Sequence, residues 1–192
     1  MLYICPMRPQ KALDKEVISG LTKVFSSKGY EGASLQDLAT AAGLKKASLY
    51  HRFPNGKKEM ADAVLADLNA WVQENVFDIL NDTHTKPKVR LTTAIKNIGV
   101  LYDGGNRTCI FRALSMEAGI DLFGEQIEQG MKAWIASFEK IGLELKFSPE
   151  QAKEYALQTL IDIQGSLILA RGLGNTGIFG KTLMNISNRY LK

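Results

Sequence analysis

The sequence predicts an all-α fold with a small N-terminal trihelical head and a longer helical body. Two observations carry this prediction. Apolar residues recur at three- and four-residue spacing through almost every segment, and strand-like alternation is nearly absent. Glycine and proline punctuate the periodic segments at Gly29, Gly43, Pro54, Pro87 and the run Asp103-Gly104-Gly105-Asn106. The 192 residues, 45% hydrophobic and 23% charged, are ordinary for a folded chain of this class.

Leu13, Val17, Leu21, Val24 and Phe25 form the apolar face of a first helix, and Gly29 is placed to end it as a C-terminal cap. Ser34 opens a second helix, with Asp37 three residues on completing a capping-box-like start. That helix is short and ends at Gly43, a residue suited to a left-handed turn. A third runs from about Lys45 to Phe53, where Pro54 stops it by disfavouring helical geometry at the preceding residue. Asn55-Gly56 makes a turn. A long fourth helix follows, with Ala61, Val64, Leu65, Leu68, Trp71 and Val72 on one face. The stretch 84–88 breaks the pattern at Pro87. Further helices fit roughly 88–102, 107–118, 121–146, 148–172 and 176–191. Ser148-Pro149-Glu150-Gln151 combines an N-cap serine, a first-turn proline and a glutamine three residues after the cap. The domain boundaries this suggests are 8–58 and 59–192.

The net charge of +4 is unevenly placed. Residues 1–60 hold ten Lys/Arg against five Asp/Glu, whereas the remainder holds fourteen against fifteen. A basic head on a near-neutral body suits a polyanion, although a mildly basic surface would carry the same excess. No apolar run is long enough to span a membrane. The start, MLYICPMRPQ, does not have the pattern of a secretory signal. Cys5 and Cys109 form no metal or redox motif and read as free thiols of a reducing cytoplasm.

Residues 34–53 have the size of a helix-turn-helix. Leu38, Leu44, Leu49 and Phe53 can pack the two helices on the first, and Ala39 is small where they approach. On a helical wheel, Ala47 and His51 lie opposite Leu49, with Ser48 and Tyr50 on the flanks and Lys45 and Lys46 in the first turn. Cations, small residues and hydrogen-bonding tips are what a helix entering a DNA major groove needs. Tyr50 and Ser34 can donate to phosphates, and Ser34 stands at a helix N-terminus, itself an anion site. Lys57 and Lys58 open the fourth helix, whose free amides can also meet a phosphate.

The run G-L-K-K-A-S-L-Y-H-R-F-P-N-G-K-K-E-M, residues 43–60, resembles the signature of TetR-family repressors, and G-Y-E-G-A-S-L-Q-D-L-A, residues 29–39, resembles that family's entry into its second helix. The match covers about residues 11–65, and the Asn-Gly after Phe-Pro resembles the LmrA-like branch. Lys45 stands where a small residue is common in the family, and Arg52 where histidine is common, which bears on base preference. The resemblance implies an N-terminal helix-turn-helix DNA-binding domain and a C-terminal helical ligand-binding and dimerisation domain. It implies Lys46, Tyr50 and Lys57 as phosphate contacts, and Ala47, Ser48 and His51 near base edges. It also implies operator DNA, a second copy of the chain and a small-molecule inducer as partners. A regulator controlled by a protein partner instead of an inducer fits the same residues.

In the body, residues 107–118 and 163–171 resemble LmrA-like helices. The resemblance implies a dimer interface on the last two helices, for which Leu157, Ile161, Gly165, Ile168 and Met184 are candidates. A pocket is expected between helices four to eight. Trp71, Tyr102, Phe111, Met116 and Glu117 are candidate lining residues, with Met131, Trp134, Phe138 and Gln164 from later helices. Glu117 could neutralise a cationic ligand or simply face solvent, and aromatics at helical spacing equally fit a plain core.

Gly172 to Gly177 matches G-x-G-x-x-G, but a helical pattern precedes it and no acidic residue follows before Lys192, so a dinucleotide site is not expected. His51 and His84 make no metal-ligand pattern, and no nucleophile elbow or phosphate loop occurs, so neither a metal, a cofactor nor an enzymatic activity is expected.

Overall fold

The computed structural model describes residues 10–192, and side-chain environments from Asp14 onward. The reading of Cys5 as a free thiol, the first two residues of the expected 8–58 domain and the side chain of Leu13 lie outside the described residues. Among the described residues there is no strand. The chain forms α1 (Gln10–Gly32), α2 (Leu35–Ala41), α3 (Lys46–Arg52), α4 (Lys57–Val72), α5 (Asp78–Asn81), α6 (Pro87–Leu101), α7 (Ile110–Leu114), α8 (Ala118–Glu144), α9 (Pro149–Gly172) and α10 (Gly177–Leu191). The all-α prediction holds. No helix is long and apolar enough to cross a membrane among the described residues.

Gly29 leaves helical geometry inside α1, at φ 73 and ψ −179, a conformation only glycine adopts without strain. The periodic face expected to end there does end, and one further turn redirects Tyr30 onto Phe25 and Phe123, with ring centroids 6.2 and 5.2 Å away. The long fourth helix forms as expected, and beyond Val72 it continues through a π-turn, Gln73–Phe77, into α5, reaching Asn81. The extra residue of the π-turn rotates the apolar face, so that Val76, Phe77 and Leu80 stay buried.

The helix expected over 107–118 is shorter, only Ile110–Leu114. Glu117, at φ 49, turns the chain into α8, and Gly119 packs on the turn it has just left. A Cβ at Gly119 would stand 2.5 Å from the Leu114 carbonyl oxygen. α9 starts as its sequence predicts, with the Gln151 N–H donating to Ser148 Oγ at 3.2 Å and Pro149 in the first turn.

α2 and α4 pack on α1, and one apolar core continues from Val17 and Leu21 through Met60 and Val64 into the body. The expected boundary at residue 58 falls in the first turn of α4, which packs on α1. In the body, α8 lies against α9 and α9 against α10. Aromatic rings link these layers: Trp134 meets Phe77 edge-on at 5.5 Å and stacks on Phe138 at 6.3 Å, and Phe138 reaches Tyr190 at 6.0 Å. Burial pushes the Tyr190 hydroxyl up to about 12.

Candidate nucleic-acid interface

α2 and α3 are each seven residues long, too short to persist alone, and local chemistry holds them. The Asp37 N–H donates to Ser34 Oγ at 3.1 Å, and the Asp37 carboxylate accepts from the Ser34 N–H at 3.3 Å and the Ser34 hydroxyl at 2.6 Å. Lys28 Nζ, 2.8 Å from the same carboxylate, is the main reason that Asp37 titrates at about 2, and the Ser34 bonds add to it. Gly43, at φ 65, makes the turn, closed by the Leu44 N–H donating to the Ala39 carbonyl at 2.9 Å. Lys45 is extended, at φ −78 and ψ 152, and starts α3. Leu49 and Phe53 are both buried, which fixes the rotation of the helix.

That rotation brings six of the predicted residues onto one outer surface: Lys45, Lys46, Ala47, Ser48, Tyr50 and His51 are all exposed. Lys45 and Lys46 have no ion-pair partner among the described residues. The surface therefore offers two uncompensated cations, two hydroxyls and an imidazole around an alanine that permits close approach. It has the dimensions and chemistry of a helix that enters a major groove.

The other four predicted residues are engaged within the chain. The Ser34 hydroxyl donates to Asp37, and the capping box takes up the Ser34 and Asp37 amides at the α2 N-terminus. Arg52 is half-buried and paired with Asp14, away from the outer surface. Lys58 pairs with Asp62 at 2.8 Å and lies 5.5 Å from the Phe123 ring centre. Lys57 donates to the Glu31 carbonyl at 3.4 Å and sits 4.5 Å over the Tyr30 ring. Each ammonium has donors beyond the one these contacts use, so the contacts hold Lys57 and Lys58 in place without closing them to a phosphate.

The predicted pocket residues do not gather in one place. Trp71 and Tyr102 line a groove of about 670 Å³ together with residues of α1. Gln164 lines an adjoining hollow of about 480 Å³, shared with Cys109. The Tyr102 hydroxyl donates to Cys109 Sγ at 3.8 Å, and burial raises Tyr102 well above the usual phenol range. Phe111, Trp134 and Phe138 are buried core, and Met131 is half-buried against it. Met116 and Glu117 are exposed. Glu117 faces Glu31: a hydrogen bond to that carboxylate, then its charge, raises the Glu117 acid above its ordinary value. Leu157, Ile161, Ile168 and Met184 are all exposed, Ile168 at the edge of the second hollow, and a Cβ on Gly165 would meet nothing within 4 Å.

Sequence reasoning missed the α1 wall of the groove. Lys15, Ser19, Thr22 and Ser26 follow one another at helical spacing opposite the apolar face, so their stripe looks like solvated surface until α4 and the loop after α6 are laid beside it.

Residues 17–64, from α1 into α4, match the family model described as "Bacterial regulatory proteins, tetR family". The HTH-type transcriptional regulator LmrA of Bacillus subtilis is 21% identical over 165 residues, covering 81% of this chain and 85% of that protein. The HTH-type transcriptional repressor DhaR of a Mycobacterium species is 26% identical over 143 residues, covering 73% and 71%. A TetR transcriptional regulator from Legionella pneumophila has the same fold, with a TM-score of 0.76 and 20% identity over 96% of this chain and 98% of that one. Residues 17–64 therefore form a TetR-type regulatory head, and the chain as a whole is similar to HTH-type transcriptional regulators and shares the fold of a TetR regulator.

Proposed function

We propose that the protein is a cytoplasmic homodimeric repressor that holds a partly palindromic operator with two copies of α3 and releases it on binding a small molecule. The observation that carries this reading is the outer surface of α3, where Lys45 and Lys46, without an ion-pair partner among the described residues, lead into exposed Ala47, Ser48, Tyr50 and His51 around a buried Leu49. Two such helices must sit about 34–36 Å apart, one turn of duplex. The exposed apolar stripe on α9 and α10 supports a second copy as the means of pairing them. The name of the relative DhaR supports repression. The groove between α1 and the body supports control by a ligand, because a ligand with different affinity for two head positions shifts their balance.

The test is selection of bound fragments from a random duplex pool, followed by titration of the best site at several salt concentrations. Tyr50→Phe and Lys46→Ala weaken binding about equally on all sequences, and Lys46→Ala also lowers the salt slope by about one. Lys57→Ala has the same effect if its remaining donors meet a phosphate. A folded protein that holds no duplex at low ionic strength overturns the reading.

A further inference from the structure

The groove at the seam has a chemical character of its own. Its floor is apolar, with Val64, Leu68 and Trp71 of α4 facing Leu101 at the end of α6. Its rim is cationic: Lys15 and Lys23 come from α1, Arg107 from the loop after α6 and Arg171 from α9, against the single carboxylate of Asp67. Arg171 donates to Thr108 Oγ1 at 2.7 Å. Lys15, Lys23 and Arg107 have no ion-pair partner among the described residues. Ser26 also lines the groove, is only 8% exposed, and its hydroxyl has no hydrogen-bond partner among the described residues. Buried hydroxyls are rarely left unpaired in folded proteins.

We infer that this seam binds an amphipathic organic anion, a compact apolar body carrying a carboxylate. The body covers Leu68 and Trp71, the charge sits among the rim cations, and an oxygen of the ligand accepts from Ser26. Cations gathered over an apolar floor raise the local concentration of an anion, whereas a neutral molecule leaves their mutual repulsion in place. A cationic ligand is disfavoured here, and Glu117, the carboxylate that could have received one, does not line the groove. The inference gives the proposed inducer a charge and a place. It rests on the regulatory reading only for its consequence on DNA, through the direct contact with α1.

The experiment is calorimetric titration of the full chain, without DNA, with 2-naphthoate and decanoate and with their neutral counterparts 2-naphthamide and decanamide. At least one carboxylate binds once per chain and about tenfold tighter than its amide. Replacing both Lys23→Ala and Arg107→Ala removes that preference and leaves amide binding within about twofold. Both side chains are exposed, so the variant folds, which its helical circular dichroism checks. Ser26→Ala weakens the carboxylate by a smaller factor. Equal binding of acid and amide, no saturable binding of either acid, or a preference that survives the double replacement overturns the inference. A chain that selects a duplex yet fails this titration loses the anion site and keeps its regulatory function.

Discussion

Gly20 sets how closely α1 approaches α2. A Cβ there would stand 2.1 Å from the Ala41 carbonyl oxygen and 2.5 Å from its carbon, and both are backbone atoms that no side-chain rotation can clear. Gly20→Ala therefore forces the helices apart. The expected loss is about 2 kcal/mol, or roughly 4–8 °C in melting temperature, despite the better helix propensity of alanine. A thermal melt that rises with the substitution refutes the close approach. Arg90 is a second residue whose role depends on distant partners. It is 2% exposed, donates to the Leu80 carbonyl at 2.6 Å and pairs with Glu144, tying the start of α6 to the ends of α5 and α8. Glu144→Gln leaves a buried guanidinium without its counter-charge and should cost about 3 kcal/mol in denaturant unfolding, whereas Arg90→Met with Glu144→Leu should recover most of that loss. Neither residue is legible in the sequence. Gly43 stands between two apolar patterns and announces a turn, but Gly20 lies inside a helix and is needed by a backbone 21 positions away. An arginine in a helix is normally read as surface, and only the fold brings Glu144 to it.

At the scale of elements, legibility follows how local the cause is. The capping boxes at Ser34 and Ser148 span four residues each, and both helices start where those residues place them. The π-turn after Val72, the shortened α7 and the split of the expected pocket have distant causes. Trp134 and Phe138 fit a cavity wall or a core equally well by spacing, and Phe77 on the π-turn and Tyr190 on α10 decide for the core. The cap of α2 also has a titration signature. Asp37 titrates at about 2 in the folded chain, below its ordinary 3.8, because Lys28 and Ser34 favour the carboxylate. A depressed folded value stabilises above the unfolded value and is lost as pH falls toward the folded one. The stabilisation should therefore be complete above about pH 4 and disappear between there and about pH 2. Asp37→Asn should lower the melting temperature at neutral pH, flatten its fall between pH 4 and 2, and leave variant and parent alike near pH 2. Parallel curves for the two proteins over that range would refute the Lys28–Asp37–Ser34 linkage.

For the whole molecule, paired DNA heads require a body face that recognises its own copy. Leu157, Ile161 and Ile168 share one side of α9, with Ile161 and Ile168 52% and 55% exposed, and Met184 of α10 is 62% exposed. Gly165 stands between them in sequence, inside a helix where glycine is unfavourable by about 1 kcal/mol relative to alanine. Among the described residues nothing requires it, because a Cβ there would meet no atom within 4 Å. In the proposed dimer, a small residue on this face would allow close approach by a second backbone. In a twofold interface every residue meets the symmetric patch, so a substitution near the axis acts twice. Gly165→Leu separates folding from assembly for this reason. It should leave the melting of the isolated chain unchanged or slightly higher, yet shift the mass seen by light scattering from a dimer toward the single-chain 21.2 kDa. Operator affinity should then fall far more for two half-sites than for one, since the second head no longer binds as a tethered partner. An undiminished dimer in Gly165→Leu would move the interface off this face, and a chain that is already monomeric at micromolar concentration would remove the paired-head arrangement altogether.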